Sequence, residues 1–288
     1  MPIATVNGLE LYYEEAGTGF PLVWNHEFAG DCRSLDLQVR HFARRYRVIT
    51  YNYRGWPPSA VPESAAAYST DALVDDLAAL LRHLEIPRAH IAGLSMGGNI
   101  ALTFAARFPS AVASLIVVGC GSGTVNHQVF VAESERLAHV FETQGAGVAG
   151  EEIAQRTARR VYAEKDPRGY AEFVERLHAH SAHGAAAAIR GILVRRKTIF
   201  EMQDDLKEIV APTLIIVGDQ DDGAVEPSLF LRRSIPHASL LVLPFTGHIP
   251  NLEEPGLFNL HVGEFLATVA EGRWARWRDD QMTSGHRQ

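Results

Sequence analysis

The apolar positions of this chain follow two alternating patterns. Short, nearly continuous apolar segments predict eight β-strands, at residues 3–6, 9–14, 22–25, 46–52, 89–92, 114–119, 213–217 and 239–243. Asn7-Gly8 lies between the first two of them and predicts a hairpin turn. Apolar residues at helical spacing, such as Leu73, Leu77 and Leu81, predict helices at residues 34–44, 70–84, 99–108, 227–234 and 254–270. Strands that alternate with helices indicate a mostly parallel sheet covered on both faces.

The alternation of strands and helices stops between residues 124 and 205. This segment is rich in Ala, Glu, Arg and His, has helical spacing throughout and contains no strand pattern. It predicts a helical cap, residues 124–205, inserted after the sixth strand into a core of residues 1–123 and 206–271. The tail, residues 272–288, carries Trp274 and Trp277 among arginines. Two interpretations of this tail stay open, a docked segment and a frayed terminus.

Composition limits the classes of partner. The net charge of −7 is spread among interspersed acidic and basic residues, which argues against nucleic-acid binding. No apolar run is long enough to span a bilayer, and the N-terminus lacks the basic and apolar regions of a secretory signal. The two cysteines, Cys32 and Cys120, form no disulfide framework. We therefore expect a cytoplasmic protein that acts on a small molecule, without nucleic-acid or membrane partners. A homodimer stays open.

The segment with the most chemical information is Gly93-Leu94-Ser95-Met96-Gly97. It has the form G-x-S-x-G and lies between a predicted buried strand and a predicted helix. A serine on such a sharp turn is a nucleophile elbow, in which the hydroxyl projects into a cleft and the flanking glycines avoid collisions. The alternative is a glycine-rich turn of an ordinary α/β protein.

A nucleophilic serine needs a base and a group that orients the base. Loops at the carboxyl ends of parallel strands converge on one site, which restricts the choice. Three carboxylates, Asp219, Asp221 and Asp222, follow the strand predicted at 213–217. His248 is the only one of the 13 histidines just beyond a late strand and before a late helix. The order serine, aspartate, histidine is one in which such sites occur.

With these motifs the chain resembles the α/β-hydrolase family over nearly all of residues 6–270. The resemblance implies a doubly wound, mostly parallel eight-stranded sheet with a helical cap after the sixth strand. It places the acid at the last position of a G-x-x-D stretch, here Gly218 to Asp221, and the base in the pair Gly247-His248. The predicted catalytic residues are therefore Ser95, His248 and Asp221.

The oxyanion loop departs from the family pattern. The resemblance implies that the backbone N–H groups of Met96 and Phe28 form the oxyanion hole. Family members commonly have a glycine where this chain has Glu27, in Asn25-His26-Glu27-Phe28. In one interpretation Glu27 points away and makes a structural hydrogen bond. In the other its carboxylate faces the site, where it acts on substrate choice or on a proton.

The predicted function is that of a serine hydrolase for a carboxylic ester or lactone of a small to medium, partly apolar substrate. Glu27, Trp56, Phe130 and Phe245 are the predicted substrate-binding residues. Two alternatives are a cofactor-free enzyme that cleaves carbon–carbon bonds or uses oxygen, and a non-catalytic ligand-binding protein. We predict no cofactor and no metal, since the cluster His178, His180 and His183 lacks metal-site spacing.

Overall fold

The structure, a computed structural model, describes residues 2–274. The strands are β1 Ile3–Val6, β2 Leu9–Ala16, β3 Phe20–Asn25, β4 Tyr46–Tyr51, β5 Ala89–Leu94, β6 Val112–Val118, β7 Thr213–Gly218 and β8 Ala238–Leu243. They form one sheet in the order β1-β2-β4-β3-β5-β6-β7-β8. Strand β2 pairs antiparallel with β1 and β4, and every other pairing is parallel. The predicted eight-stranded, mostly parallel sheet is confirmed.

Helices connect these strands. They are α1 Asp36–Phe42, α2 Thr70–His83, α3 Met96–Arg107, α4 His127–Ala154, α5 Thr157–Lys165, α6 Pro167–His178, α7 Ala182–Ala188, α8 Gln203–Lys207, α9 Asp222–Ser234, α10 Pro250–Glu253 and α11 Pro255–Ala270. Short 3-10 turns occur at Cys32–Leu35, Ala65–Ala67 and Pro109–Ala111, and a π-helical turn at Ile189–Leu193. The helix predicted at 34–44 is thus a 3-10 turn followed by the shorter α1.

The start of α9 differs from the sequence prediction. The helix was expected from residue 227, but it begins at Asp222 and contains Pro227. Proline lacks a backbone N–H and disfavours the interior of a helix, which is why the sequence pattern placed the start at Pro227. The N–H groups of Ala224 and Val225 already donate to the carbonyl of Asp221, at 2.8 and 3.1 Å. The earlier start leaves only a short turn after β7 and places Asp221 directly before the helix.

The core lies on both faces of the sheet because successive strand residues point to opposite sides. In β6, Leu115 and Val117 belong to one apolar cluster, and Ile116 and Val118 belong to the other. Residues of α2 and α3 cover the first face, and residues of α11 cover the second. Full burial of one such aliphatic side chain contributes about 1.5–3 kcal/mol. This packing holds the carboxyl ends of β3, β5, β7 and β8 close together.

Helices α4–α8 lie between β6 and β7 and form the helical cap of the predicted fold class. Helix α4 is interrupted at Gly145, whose φ of 84° and ψ of 175° are not helical. Leu137, Phe141 and Ile189 of the cap are buried in the same apolar cluster as the first face of the sheet. The cap is therefore packed onto the core rather than tethered to it.

Near its C-terminal end, the described chain docks on α11. The ring of Trp274 lies edge-on to Phe265, with centroids 4.6 Å apart, and its indole N–H donates to the carbonyl of His237 at 2.9 Å. Trp277, the other tryptophan of the tail, is outside the described residues. Among residues 2–274, no helix has both the length and the apolar character that a membrane crossing requires.

Candidate active site

Ser95 lies at the junction of β5 and α3 in a strained backbone conformation, with φ of 52° and ψ of −111°. The strand and the helix approach so closely that side chains do not fit on either side of it. A Cβ on Gly93 would lie 2.1 Å from the carbonyl oxygen of Gly97, and a Cβ on Gly97 would lie 2.3 Å from that of Asn25. The two glycines of the motif are thus required by close packing, and the serine is held at the carboxyl end of the sheet.

The structure brings Ser95, His248 and Asp221 together. Nε2 of His248 lies 3.0 Å from Oγ of Ser95, and Nδ1 lies 2.7 Å from Oδ2 of Asp221. Because a carboxylate only accepts, Nδ1–H is the donor to Asp221, and Nε2 is free to accept the serine proton. Burial acts to lower the pKa of His248, but the charge and hydrogen bond of Asp221 outweigh it and leave the pKa raised above its ordinary value.

The neighbouring acids of the β7 turn have other positions. Oδ1 of Asp219 accepts the N–H of Thr246 at 3.1 Å and so links the turn after β7 to the turn after β8. Asp222 is exposed in the first turn of α9. Only Asp221 of the three contacts the imidazole of His248.

The loop that carries His248 is held by a residue whose role the sequence did not reveal. Glu253 accepts the N–H of Gly247 at 2.5 Å and the N–H of Ile249 at 3.0 Å, one on each side of the histidine. The N–H of His248 itself donates to the carbonyl of Ala158, in α5 of the cap, at 3.1 Å. Backbone donors around His248 are therefore satisfied by both the core and the cap.

The oxyanion loop after β3 is fixed by a neutral histidine. Nδ1 of His26 lies 2.7 Å from the carbonyl oxygen of Glu27, and Nε2 lies 3.4 Å from the backbone N of Tyr53. The first contact requires Nδ1–H and the second requires an unprotonated Nε2, which together define the neutral form. Burial lowers the pKa of His26 to about 4, consistent with that form. The indole of Trp56 donates to the carbonyl of Phe28 at 3.2 Å.

These contacts engage the carbonyl groups of the oxyanion loop and orient the peptide that carries the Phe28 N–H. Phe28 borders the cavity above Ser95. Met96 is the first residue of α3, where a backbone N–H has no acceptor within the helix. Both predicted oxyanion donors thus belong to the two segments that meet at Ser95.

The position of Glu27 agrees with both interpretations that the sequence left open. Its Oε1 accepts from Nη1 of Arg159 at 2.7 Å, and its Oε2 contacts Nη2 of the same guanidinium. Both side chains are at most 6% exposed. Oε2 also lies 4.0 Å from Nε2 of His248. Burial acts to raise the pKa of Glu27, but the Arg159 charge outweighs it and the pKa is lowered. The carboxylate is structurally paired and also faces the site.

A cavity of about 130 Å³ lies above Ser95 under the cap. Phe130 is part of its wall, as expected. Its other apolar lining residues include Phe28, Leu137, Ile153, Ile189 and Leu193. This wall suits a small, partly apolar substrate.

Two predicted substrate-binding residues are not at this cavity. Trp56 is 2% exposed and packs edge-on against Phe28, so it supports the oxyanion loop from behind. Phe245 is 59% exposed, and its ring lies 5.2 Å from Nζ of Lys165 on the outer surface. The structure corrects both expectations for the same reason. An aromatic residue close to a predicted site in the sequence can lie in a pocket wall, in the core or on the surface, and its residue type does not distinguish these positions.

The three clustered histidines of the cap face different neighbours. His178 lies 3.1 Å from a carboxylate oxygen of Glu151, and His183 donates to the carbonyl of Pro62 at 3.1 Å. His180 is buried with its ring centroid 6.4 Å from that of Trp56, and burial lowers its pKa to about 4. No metal-like group of three or more His, Cys, Asp or Glu side chains occurs among residues 2–274.

Sequence reasoning missed the basic residues that the cap contributes. Arg156, Arg159 and Arg196 all line the cavity above Ser95. The arginine-rich composition of the cap was visible in the sequence, but helical spacing does not tell which face of a cap helix covers the site. No local pattern would have separated these three arginines from the arginines of the cap that lie away from the cavity.

Known proteins resemble this chain in sequence and in structure. The sequence model of the alpha/beta hydrolase fold matches residues 19–167. A 3-oxoadipate enol-lactonase from Acinetobacter baylyi is 30% identical over 239 residues, which cover 83% of this chain and 85% of that protein.

Two solved structures superpose on nearly the whole chain. A thermophilic esterase from Thermogutta terrifontis, determined with malate bound, has a TM-score of 0.83 and 28% identity. The match covers 93% of this chain and 98% of the esterase chain. The enol-lactonase from Burkholderia xenovorans has a TM-score of 0.82 and 25% identity, and the match covers 92% of this chain and 100% of the enol-lactonase.

Proposed function

Because the chain belongs to the alpha/beta hydrolase fold family, we propose that it is a serine hydrolase that cleaves the carboxylic ester or lactone bond of a small, partly apolar substrate. The observation that carries this proposal is the position of His248, 3.0 Å from the Ser95 hydroxyl and 2.7 Å from Asp221. The names of the relatives, an enol-lactonase and an esterase, favour the same bond type.

The reaction proceeds in two steps. Oγ of Ser95 attacks the substrate carbonyl while Nε2 of His248 takes its proton, and Asp221 stabilises the imidazolium. The N–H groups of Met96 and Phe28 bind the oxyanion. The tetrahedral intermediate collapses, His248 protonates the departing alcohol oxygen, and an acyl-enzyme remains. Water, deprotonated by His248, then hydrolyses the acyl-enzyme and releases the acid and free Ser95.

The test of this function is turnover of p-nitrophenyl esters of increasing acyl length, together with labelling by a fluorophosphonate probe. We expect labelling, and we expect faster turnover of acetate and butyrate esters than of decanoate, because the cavity has a volume of only about 130 Å³. Labelling without ester turnover would favour another substrate class. Failure of both would leave a ligand-binding protein and overturn the proposal.

The pH dependence of ester hydrolysis offers a separate prediction. His248 acts as a base only when it is neutral, so kcat/KM rises with pH through its pKa. Since that pKa is raised above the ordinary value of 6.5, the midpoint of the acid limb is expected above pH 6.5. The Glu27 charge raises this pKa and the Arg159 charge lowers it, so Glu27→Gln should move the midpoint to lower pH. An unchanged midpoint in folded Glu27→Gln would contradict this electrostatic coupling.

A second function is favoured by one observation, the carboxylate of Glu27 at 4.0 Å from Nε2 of His248. An acid this close to the catalytic base is suited to proton handling, as a cofactor-free enzyme acting on carbon–carbon bonds or oxygen requires. Labelling of Ser95 without turnover of any simple ester would support this alternative over the esterase.

A further inference from the structure

The charged side chains around the cavity do not balance. Its two carboxylates, Glu27 and Asp221, are already engaged, the first by Arg159 and the second by the catalytic histidine. Two further arginines of the lining, Arg156 and Arg196, form no ion pair with any carboxylate among residues 2–274. The protein thus presents two uncompensated positive charges at a cavity that contains the nucleophile.

Arg196 makes defined contacts at the cavity wall. Its Nη2 donates to the carbonyl of Ser122 at 2.8 Å, and its guanidinium carbon lies 5.5 Å from the ring centroid of Phe130. Ser122 and Phe130 are themselves part of the cavity wall. The guanidinium is therefore held in place by neutral partners. Among residues 2–274, one hydrogen bond engages its five N–H donors, the one to Ser122.

The surroundings of Arg196 make a negatively charged ligand favourable. Burial lowers the pKa of this guanidinium, and the thiol of Cys120, rather than any carboxylate, acts in the opposite direction. An arginine nevertheless stays protonated in proteins, so its charge is kept without a counter-charge. A partly desolvated cation of this kind gains more from an anion than an exposed one does.

Arg156 adds positive potential at the mouth of the cavity. It is exposed and lines both the cavity above Ser95 and a larger cleft on the outer surface. The acids that act on it, Glu152 and Glu133, are both paired with Arg136. A free guanidinium at a cavity entrance attracts anionic substrates and increases their rate of association.

We propose that the substrate carries a carboxylate, bound by Arg196 at the cavity wall, so that the protein selects anionic esters or lactones over neutral ones. This inference rests on the hydrolase function proposed above and names its substrate class. A carboxylate is the anion of choice because its two oxygens match the edge of a guanidinium. The small cavity limits the spacer between the carboxylate and the scissile carbonyl to a few carbon atoms.

The test compares two esters that differ only in charge: monomethyl glutarate and its neutral amide, methyl 4-carbamoylbutanoate, with the corresponding succinate pair for a shorter spacer. We expect wild-type kcat/KM to favour the acid by roughly 10- to 100-fold. In Arg196→Met this ratio should fall to about one. Arg196→Lys should keep a smaller preference, since lysine supplies the charge without the planar fork.

The matched control is Arg195→Met, because Arg195 is exposed and borders an outer cleft rather than the cavity above Ser95. It should keep the wild-type ratio. A measurement on the unmodified protein makes the test independent of variant folding: glutarate should inhibit p-nitrophenyl acetate hydrolysis at roughly tenfold lower concentration than glutaramide.

The possible outcomes separate this inference from the function on which it rests. Turnover of neutral p-nitrophenyl esters with an acid-to-amide ratio of one or less for both spacers would overturn the carboxylate site and leave the hydrolase intact. The same holds if folded Arg196→Met keeps the wild-type ratio. Absence of all ester turnover and of Ser95 labelling would overturn the hydrolase, and the substrate class with it.

Discussion

Replacing Ser95 with alanine is expected to reduce kcat for p-nitrophenyl acetate by about 10⁴- to 10⁶-fold and to abolish fluorophosphonate labelling. In the proposed mechanism this hydroxyl forms the acyl-enzyme, and the strained backbone at φ of 52° places it 3.0 Å from Nε2 of His248. Without it, the oxyanion donors and the cavity still bind the ester but have no nucleophile to assist. Steady-state kinetics and in-gel fluorescence of the probe measure the two effects.

A second serine of the cavity provides the control for this experiment. Ser134 is buried in the cap and lines the same cavity, but it has no contact with His248. Ser134→Ala should still be labelled by the probe. Retained labelling of folded Ser95→Ala would show that another residue is the nucleophile and would remove the basis of the mechanism.

The second large effect is expected on stability, from Arg159→Met. Arg159 and Glu27 form a buried, two-pronged ion pair in which both side chains are at most 6% exposed. Removing one partner leaves an uncompensated buried charge, and such changes typically lower the free energy of unfolding by about 3–5 kcal/mol. Urea denaturation at pH 8, followed by tryptophan fluorescence, measures the loss.

The pH dependence of the stability loss in Arg159→Met shows whether the buried Glu27 charge causes it. In the wild type the pKa of Glu27 is lowered by Arg159, so the pair contributes stability above the pKa of Glu27 in the unfolded chain and loses it as pH falls. In Arg159→Met the buried carboxyl has no cation, its pKa rises, and it becomes protonated at mildly acidic pH. The difference in stability from the wild type should therefore be larger at pH 8 than at pH 5.

Two further variants separate the ion pair from other effects. Arg160→Met removes a neighbouring exposed arginine of the same helix and should change the free energy of unfolding by less than about 0.5 kcal/mol. Glu27→Gln/Arg159→Met removes both charges and should be more stable than Arg159→Met. If the double variant were less stable than both single variants, the buried charge would not be the source of the loss.

The sheet and the turn that carries Ser95 were predictable because their signals are local. Parallel strands buried on both faces appear as continuous apolar runs, and all eight were found with small differences at their ends. Gly93 is required by the carbonyl of Gly97 in the same turn, so the spacing of the motif is visible locally, although Gly97 is itself required by the carbonyl of Asn25 in β3. His248 was found from chain order, and Asp221 was separated from its two neighbours only by the family resemblance.

What the sequence could not reveal depends on contacts between distant segments. Arg159 is 132 positions from Glu27, and its orientation depends on how α5 packs over the core. Arg196 follows the π-helical turn at Ile189–Leu193, which no simple apolar period describes. Trp56 was wrongly predicted to bind substrate, because residue type alone does not tell whether a side chain lies in a pocket wall or in the layer behind that wall. A long-range contact has no signature in the spacing of either segment.

The contacts of α5 with the catalytic loops bear on protein engineering by domain exchange. Caps are attractive units to recombine between relatives, since they carry much of the substrate contact surface. Here the cap also provides the carbonyl of Ala158 to the His248 backbone and the guanidinium of Arg159 to Glu27. A chimaera that receives a foreign cap without these two groups would lose a backbone hydrogen bond at His248 and leave the buried carboxylate of Glu27 without its cation. In this protein, position 27 and the start of α5 therefore need to be exchanged together.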